Sequence, residues 1–214
     1  MKDHFHYRRE FIKKAFTYTA GLSTLGFAAT AAPKAKPSEA LLVIGPRTGY
    51  SPQIGAMVAM LNYMRHTIVN TVKDLSVEEL DWQMDEDSNS IGALLLHLAA
   101  TDKFYQLNSF HGKQEFNKQE DKIWGAAMRL GKEGKKIKGH TAQHYLDIMT
   151  EVREETLETL KEYDDEWLLA IDEVWSQPGQ EVNTYWKWFH VCEHESNHGG
   201  QMRILRTRVG KTLT

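Results

Sequence analysis

Residues 190 to 201 read His190-Val191-Cys192-Glu193-His194-Glu195-Ser196-Asn197-His198-Gly199-Gly200-Gln201. On an α-helix, side chains four residues apart lie about 40° apart in azimuth and one turn along the axis. His194 and His198 therefore share a face, and both imidazoles can reach one ion. Gln201 returns close to the same azimuth, and Val191 and Leu205 lie near it, so the line is expected to face the interior. Two imidazoles leave a metal site incomplete. His97, three residues after Leu94 and four before Thr101 on a second apolar stripe, is the best third. Three neutral nitrogens with an open position suit a catalytic-type arrangement for zinc, nickel or iron. A buried histidine also needs partners for both ring nitrogens, and a metal supplies one of them.

His190 stands a further turn back. It differs from His198 by about 80° and lies about 12 Å away along the axis, so a straight helix can scarcely give all three to one ion. His190 is read as a pocket residue or an alternate ligand, or else as a histidine satisfied by ordinary contacts. His194-Glu195-Ser196-Asn197-His198 also fits H-E-x-x-H, in which the glutamate activates a zinc-bound water. Two features oppose a peptidase. No Asp, Glu or His follows His198 as a downstream ligand, and no clear edge strand is available to hold a peptide. His140 and His144 repeat the spacing, but Thr141 looks like a helix cap that leaves His140 outside the helix, and both are read as surface residues. Cys192 is the single cysteine. It excludes an internal disulfide and is read as a helical core residue rather than a thiolate nucleophile.

The elements that position these residues are helical. Ser51-Pro52 looks like a cap followed by proline in the first turn, and apolar residues from Ile54 to Leu75 then recur mostly at three and four. Ser76 and Glu79 have capping-box spacing, and Trp82 is expected to seal the bundle. Ser90 can cap a second helix to about Phe110, with Ile91, Leu94, His97, Leu98, Thr101 and Tyr105 on its inner side. Thr101 either bonds a carbonyl one turn back or faces the metal pocket. A short helix fits residues 121 to 130. Thr141 precedes a third long helix to about residue 162, and a fourth is expected from near Asn183 to about Arg208. Four long periodic segments imply an all-α four-helix bundle with crossover connections, the domain spanning residues 51–214. Tyr185, Trp186, Trp188 and Phe189 are core rings or the lining of a pocket or subunit interface, and a homodimer is compatible with them.

The composition, 41% hydrophobic and 26% charged, is that of a soluble globular domain. Tyr7-Arg8-Arg9-Glu10-Phe11-Ile12-Lys13-Lys14, followed by a mild apolar run, resembles a twin-arginine export signal with a small-x-small cleavage site at Ala29-Thr30-Ala31. Residues 1–31 are read as that signal and 32–50 as a linker or N-terminal arm, which makes the mature chain exported or periplasmic. Nothing later is long and apolar enough for stable membrane insertion. Without residues 1–31 the chain keeps 21 basic and 27 acidic residues, net −6, a surface that does not attract nucleic acid.

Two stretches carry a family likeness. Asn89 through Asp102, with His97 inside it, and His190 through Arg206 resemble the histidine motifs of the DinB-like superfamily of metal-binding helical bundles. The resemblance spans roughly residues 52 to 208. It implies an up-down-down-up bundle with ligands at His97, His194 and His198. One divalent metal, zinc or nickel, is the expected cofactor, and Asp102, Glu193, Gln201 or His190 are candidates for orienting partners. Characterised relatives are similar to thiol-dependent isomerases and thiol S-transferases, and others are hydrolase-like. The expectation is a metal-dependent enzyme acting on a small molecule by hydrolysis or thiol transfer. Export argues against the thiol, since reduced thiols are not assured outside the cytoplasm. The alternative is a non-catalytic, metal-stabilised binding protein.

Overall fold

The computed structural model describes residues 37–212, so the export segment expected at 1–31 lies outside the described residues. Among the described residues eight helices follow one another: α1 (Pro52–Val72), α2 (Val77–Asp81), α3 (Ile91–His111), α4 (Lys118–Arg129), α5 (Gly131–Gly134), α6 (Ala142–Leu160), α7 (Asp165–Leu169) and α8 (Thr184–Thr212). Among the described residues the only extended pairing is two isolated bridges, Ile171 with Asn183 and Gln177 with Gln180. No described helix is long and apolar enough to cross a membrane.

Most helix starts follow the sequence. Ser76 and Glu79 form the expected capping box, and the side chains of Ser90 and Thr141 accept from Ala93 N and His144 N. Ser51 is the exception. Its hydroxyl is a donor, to Asp165 Oδ1 at 2.5 Å. The same carboxylate oxygen accepts from Gln53 N at 2.9 Å and Ile54 N at 3.2 Å. A full negative charge satisfies more of the helix's open N–H groups than a serine hydroxyl, and it also complements the helix dipole. α8 runs one turn past the expected Arg208, to Thr212.

The four longest helices, α1, α3, α6 and α8, make the body. α1 packs on α8 and α6, and α3 packs on α6 and α8. Their inner faces form two apolar clusters. One gathers Ile68, Leu94, Leu98, Met149 and Met202. The other gathers Ile54, Leu61, Tyr105, Leu160 and Trp188. On each long helix a charged residue lies between the two clusters: Arg65, Asp102, Arg153 and Glu195. Asp102 is 0% and Glu195 1% exposed. Arg153 donates Nε to Asp102 Oδ2 at 2.8 Å and Nη2 to Glu195 Oε1 at 2.8 Å. Arg65 donates Nη2 to the same Glu195 oxygen at 2.7 Å and lies 3.5 Å from Asp102 Oδ2. Thr156 bonds Asp102 Oδ1 at 2.8 Å, and the carbonyls of Leu61 and Met149 accept from Arg153 Nη1 and Arg65 Nη1. Two cations and two anions thus cancel inside the bundle.

Removing one member of such a set leaves an uncompensated buried charge, which costs about 3–5 kcal/mol. Arg153→Met is therefore expected to lower the stability read from urea unfolding by that amount. Adding Asp102→Leu to it should recover part of the loss, because the orphaned anion is then gone.

Candidate metal centre

His97 is on α3, and His194 and His198 are on α8. The two helices cross so that the three rings face one another. His97 Nε2 lies 3.1 Å from His194 Nε2, and His198 Nε2 lies 2.7 Å from it. The chosen ring nitrogens all fall within 4.8 Å of one another. His97 is buried, and the other two are half-buried. Gly199 helps set the approach of α1 behind them, since a Cβ there would stand 3.0 Å from Ile68 Cδ1.

The protons on these rings are set from outside the trio. His97 Nδ1 lies 2.9 Å from the Ala127 carbonyl, which can only accept, so Nδ1 carries the proton and Nε2 keeps its lone pair. His198 Nδ1 donates to Gln201 Oε1 at 2.9 Å with the same result. His194 Nδ1 is buried without a partner. Whichever of its nitrogens is protonated, His194 can donate to at most one neighbouring Nε2. At least one close pair of lone pairs is left facing. Protonation does not resolve this: burial pushes all three imidazoles below their ordinary values, His194 down to about 3, with His198, His97 and His190 adding repulsion there. Three convergent lone pairs that resist protons fit a cation, and the donor set fits a divalent transition metal.

The surrounding candidates separate. Gln201 does touch the trio, through His198. Thr101 does not: its hydroxyl bonds the His97 carbonyl at 2.9 Å, one turn back. Asp102 is committed to Arg153 and Thr156. His190 is outside the cluster; it stacks on Trp186 with ring centroids 5.3 Å apart and sits 3.2 Å from the exposed Glu193. Its ring still borders His194, 5.5 Å away. Glu195, the glutamate of the H-E-x-x-H string, is 1% exposed, with one oxygen held by both arginines. Burial and pairing with both arginines commit its carboxylate to the bundle interior, which removes the general base a peptidase needs. Cys192 is half-buried, and burial, with Glu195 nearby, pushes its thiol up to about 11. His140 and His144 are exposed and stack on each other. Trp188 is core at 0% exposure, whereas Trp186 and Phe189 are exposed.

Sequence reasoning missed Arg65 and Arg153 altogether. The signal was present, for Arg65 follows Leu61 by four and precedes Ile68 by three, and Arg153 has the same relation to Met149 and Thr156. Buried Lys187 was missed as well. It reaches Asn108 Oδ1 at 2.7 Å and pairs with Asp172, fastening the crossover before α8.

The helices form a DinB-like fold, and the clustered histidines give it a site consistent with metal binding. Among solved structures, a DinB-like protein from Bacillus cereus ATCC 10987 has a similar fold, with TM-score 0.52, 17% sequence identity, and coverage of 72% of this chain and 91% of that one. The chain belongs to the mycothiol-S-transferase family, whose pattern it matches over residues 56–210. No curated protein matches it.

Two outcomes follow from the ring contacts. Gln201→Leu, which removes the partner of His198 Nδ1, is expected to weaken binding of a divalent metal about 10–100-fold in a competition titration. In chelator-treated protein the imidazoles are held neutral, His194 to about pH 3, whereas unfolding returns it to its ordinary 6.5. The unfolded chain then binds the extra protons, so stability is full above pH 6.5 and is lost as pH falls from there toward 3. The urea midpoint should drop between pH 7 and pH 5, and His194→Asn should flatten that slope.

Proposed function

We propose that this chain is a metal-dependent enzyme that transfers a low-molecular-weight thiol to a small electrophilic molecule. The observation that carries the reading is the convergence of three Nε2 lone pairs whose protons are parked on the far side of each outer ring, by Ala127 for His97 and by Gln201 for His198. Zinc or nickel suits such a set. When bound, the metal supplies Lewis acidity that lowers the pKa of a thiol at its open position. The family's name supports thiol transfer ahead of hydrolysis.

The chain's own residues support the same division of labour. His97 is sealed by α4, through the Ala127 carbonyl, while His194 and His198 are half-buried and keep the other side within reach. The chain has one cysteine, and burial keeps its thiol protonated at neutral pH, so the attacking sulfur comes from a second molecule. The proposal takes the long helices as up-down-down-up. The pairings Arg65 with Glu195 and Thr71 with Arg206 advance together, as do Asp102 with Arg153 and Gln106 with Thr156. The pairings His97 with His194 and Asn108 with Lys187 run in opposite senses. The twin-arginine-type N-terminus supports export, in which case the thiol must be present where the mature chain accumulates.

Incubating zinc- and nickel-loaded protein with mycothiol or cysteine and monochlorobimane, a neutral electrophile, tests this. The expected result is thioether fluorescence above the protein-free rate, abolished by chelation and by His198→Ala. Cell fractionation with Arg8 and Arg9 replaced by lysine reads the location. No metal-dependent thioether with either thiol would end the proposal.

A further inference from the structure

One turn beyond the histidines, toward the start of α3 and the end of α8, the surface opens into a pocket of about 280 Å³. Its apolar walls are Met84, Leu94, Ile204 and Leu205. Leu94 precedes His97 by one helical turn, and Gln201, also in the wall, holds His198 Nδ1 at 2.9 Å. Gln201 therefore both lines the pocket and touches the trio.

The other walls are polar, and most of their polar atoms are already bonded. Ser88 Oγ accepts from Asp85 N and donates to Asp85 O, both at 3.1 Å. Asp85 Oδ1 in turn takes the N–H groups of Asp87 and Ser88, and Gln83 Nε2 bonds the Ser88 carbonyl at 2.7 Å. Asn89 Oδ1 accepts from Gly131 N at 3.3 Å. These bonds brace the segment between α2 and α3 as a preformed wall and leave Asn89 Nδ2 without a partner among the described residues. Gln201 stands beside the histidines. Its Oε1 serves His198, and its amide Nε2 has no partner among the described residues. Among the described residues no charged side chain lines the pocket, so an anionic group would lose its hydration there without compensation. Met84 and Ile204 are 51% and 56% exposed, so the apolar wall is open to an incoming molecule.

We propose that this pocket receives the apolar body of a neutral electrophilic substrate and that Gln201 donates its amide N–H to an acceptor atom on it. This deepens the thiol-transfer reading and rests on it for the word substrate. The site commits to a compact molecule, one filling the pocket with about ten non-hydrogen atoms.

The probe is 4-fluorobenzamide, a neutral ring with one carbonyl acceptor, titrated into metal-loaded protein and followed by ¹⁹F NMR. The expected dissociation constant is in about the millimolar range, the level such a small ligand reaches in an open pocket. Ile204→Asp and Met84→Asp place a charge on exposed wall positions that the fold does not depend on. Each is expected to weaken the probe by about tenfold or more, with metal content and helical circular dichroism unchanged. Binding that is absent from the wild type, or equal in wild type and both variants, overturns the proposal. The bimane assay separates the two readings. Probe binding with no thioether formation sinks the transferase and leaves the pocket; thioether formation with no probe binding does the reverse.

Discussion

Four full charges in the interior of a helical bundle are tolerable only if they meet. Arg65, Asp102, Arg153 and Glu195 come one from each long helix, and their carboxylates and guanidinium groups cancel only in one mutual register. A slip of one turn on any helix would leave a charge facing hydrocarbon. An apolar core alone accepts many sliding arrangements, because leucine on leucine has little preference for height. The ionic layer is what distinguishes among them. Glu195 is the residue after His194, and Asp102 is five beyond His97. The register that satisfies the charges is thus the one that sets the imidazoles opposite one another.

The histidine cluster adds its own demand on the surroundings. Each outer ring is turned by an acceptor that belongs to neither of the other histidines: a main-chain carbonyl at the end of α4 for His97, and a side-chain amide one turn along α8 for His198. The short α4 is therefore more than a filler of the long α3–α6 connection. Without its carbonyl the His97 ring could take either tautomer, and the inward lone pair would no longer be assured.

Much of this was readable in one dimension. The spacing of His194 and His198, and the place of His97 on an apolar stripe, follow from 3.6 residues per turn and needed no coordinates. The caps at Ser76, Ser90 and Thr141 are equally local, since each bonds within three residues. What the sequence hid was non-local. Asp165 caps the start of α1 although it lies 112 residues after Gln53, whose N–H it accepts, and no pattern around Ser51 announces it. Ala127 meets His97 through a main-chain atom, which leaves no mark on residue identity. The ionic layer falls between these cases. Each of its members follows a buried apolar residue by four, as Arg65 follows Leu61 and Glu195 follows Val191, so its burial was legible while its pairing was not. Glu195 shows the hazard of reading a motif without its surroundings, for the string H-E-x-x-H is intact and yet its glutamate is held by two buried arginines.

The borrowed cap on α1 bears on how the chain is made. A ribosome delivers Pro52 early, but the first turn of that helix gains its carboxylate acceptor only when Asp165 has emerged. The imidazoles are divided the same way, with His97 produced 97 residues ahead of His194. Neither a finished first helix nor a three-nitrogen cradle exists on the nascent polypeptide until then, so acquisition of an ion is postponed until α8 has been made.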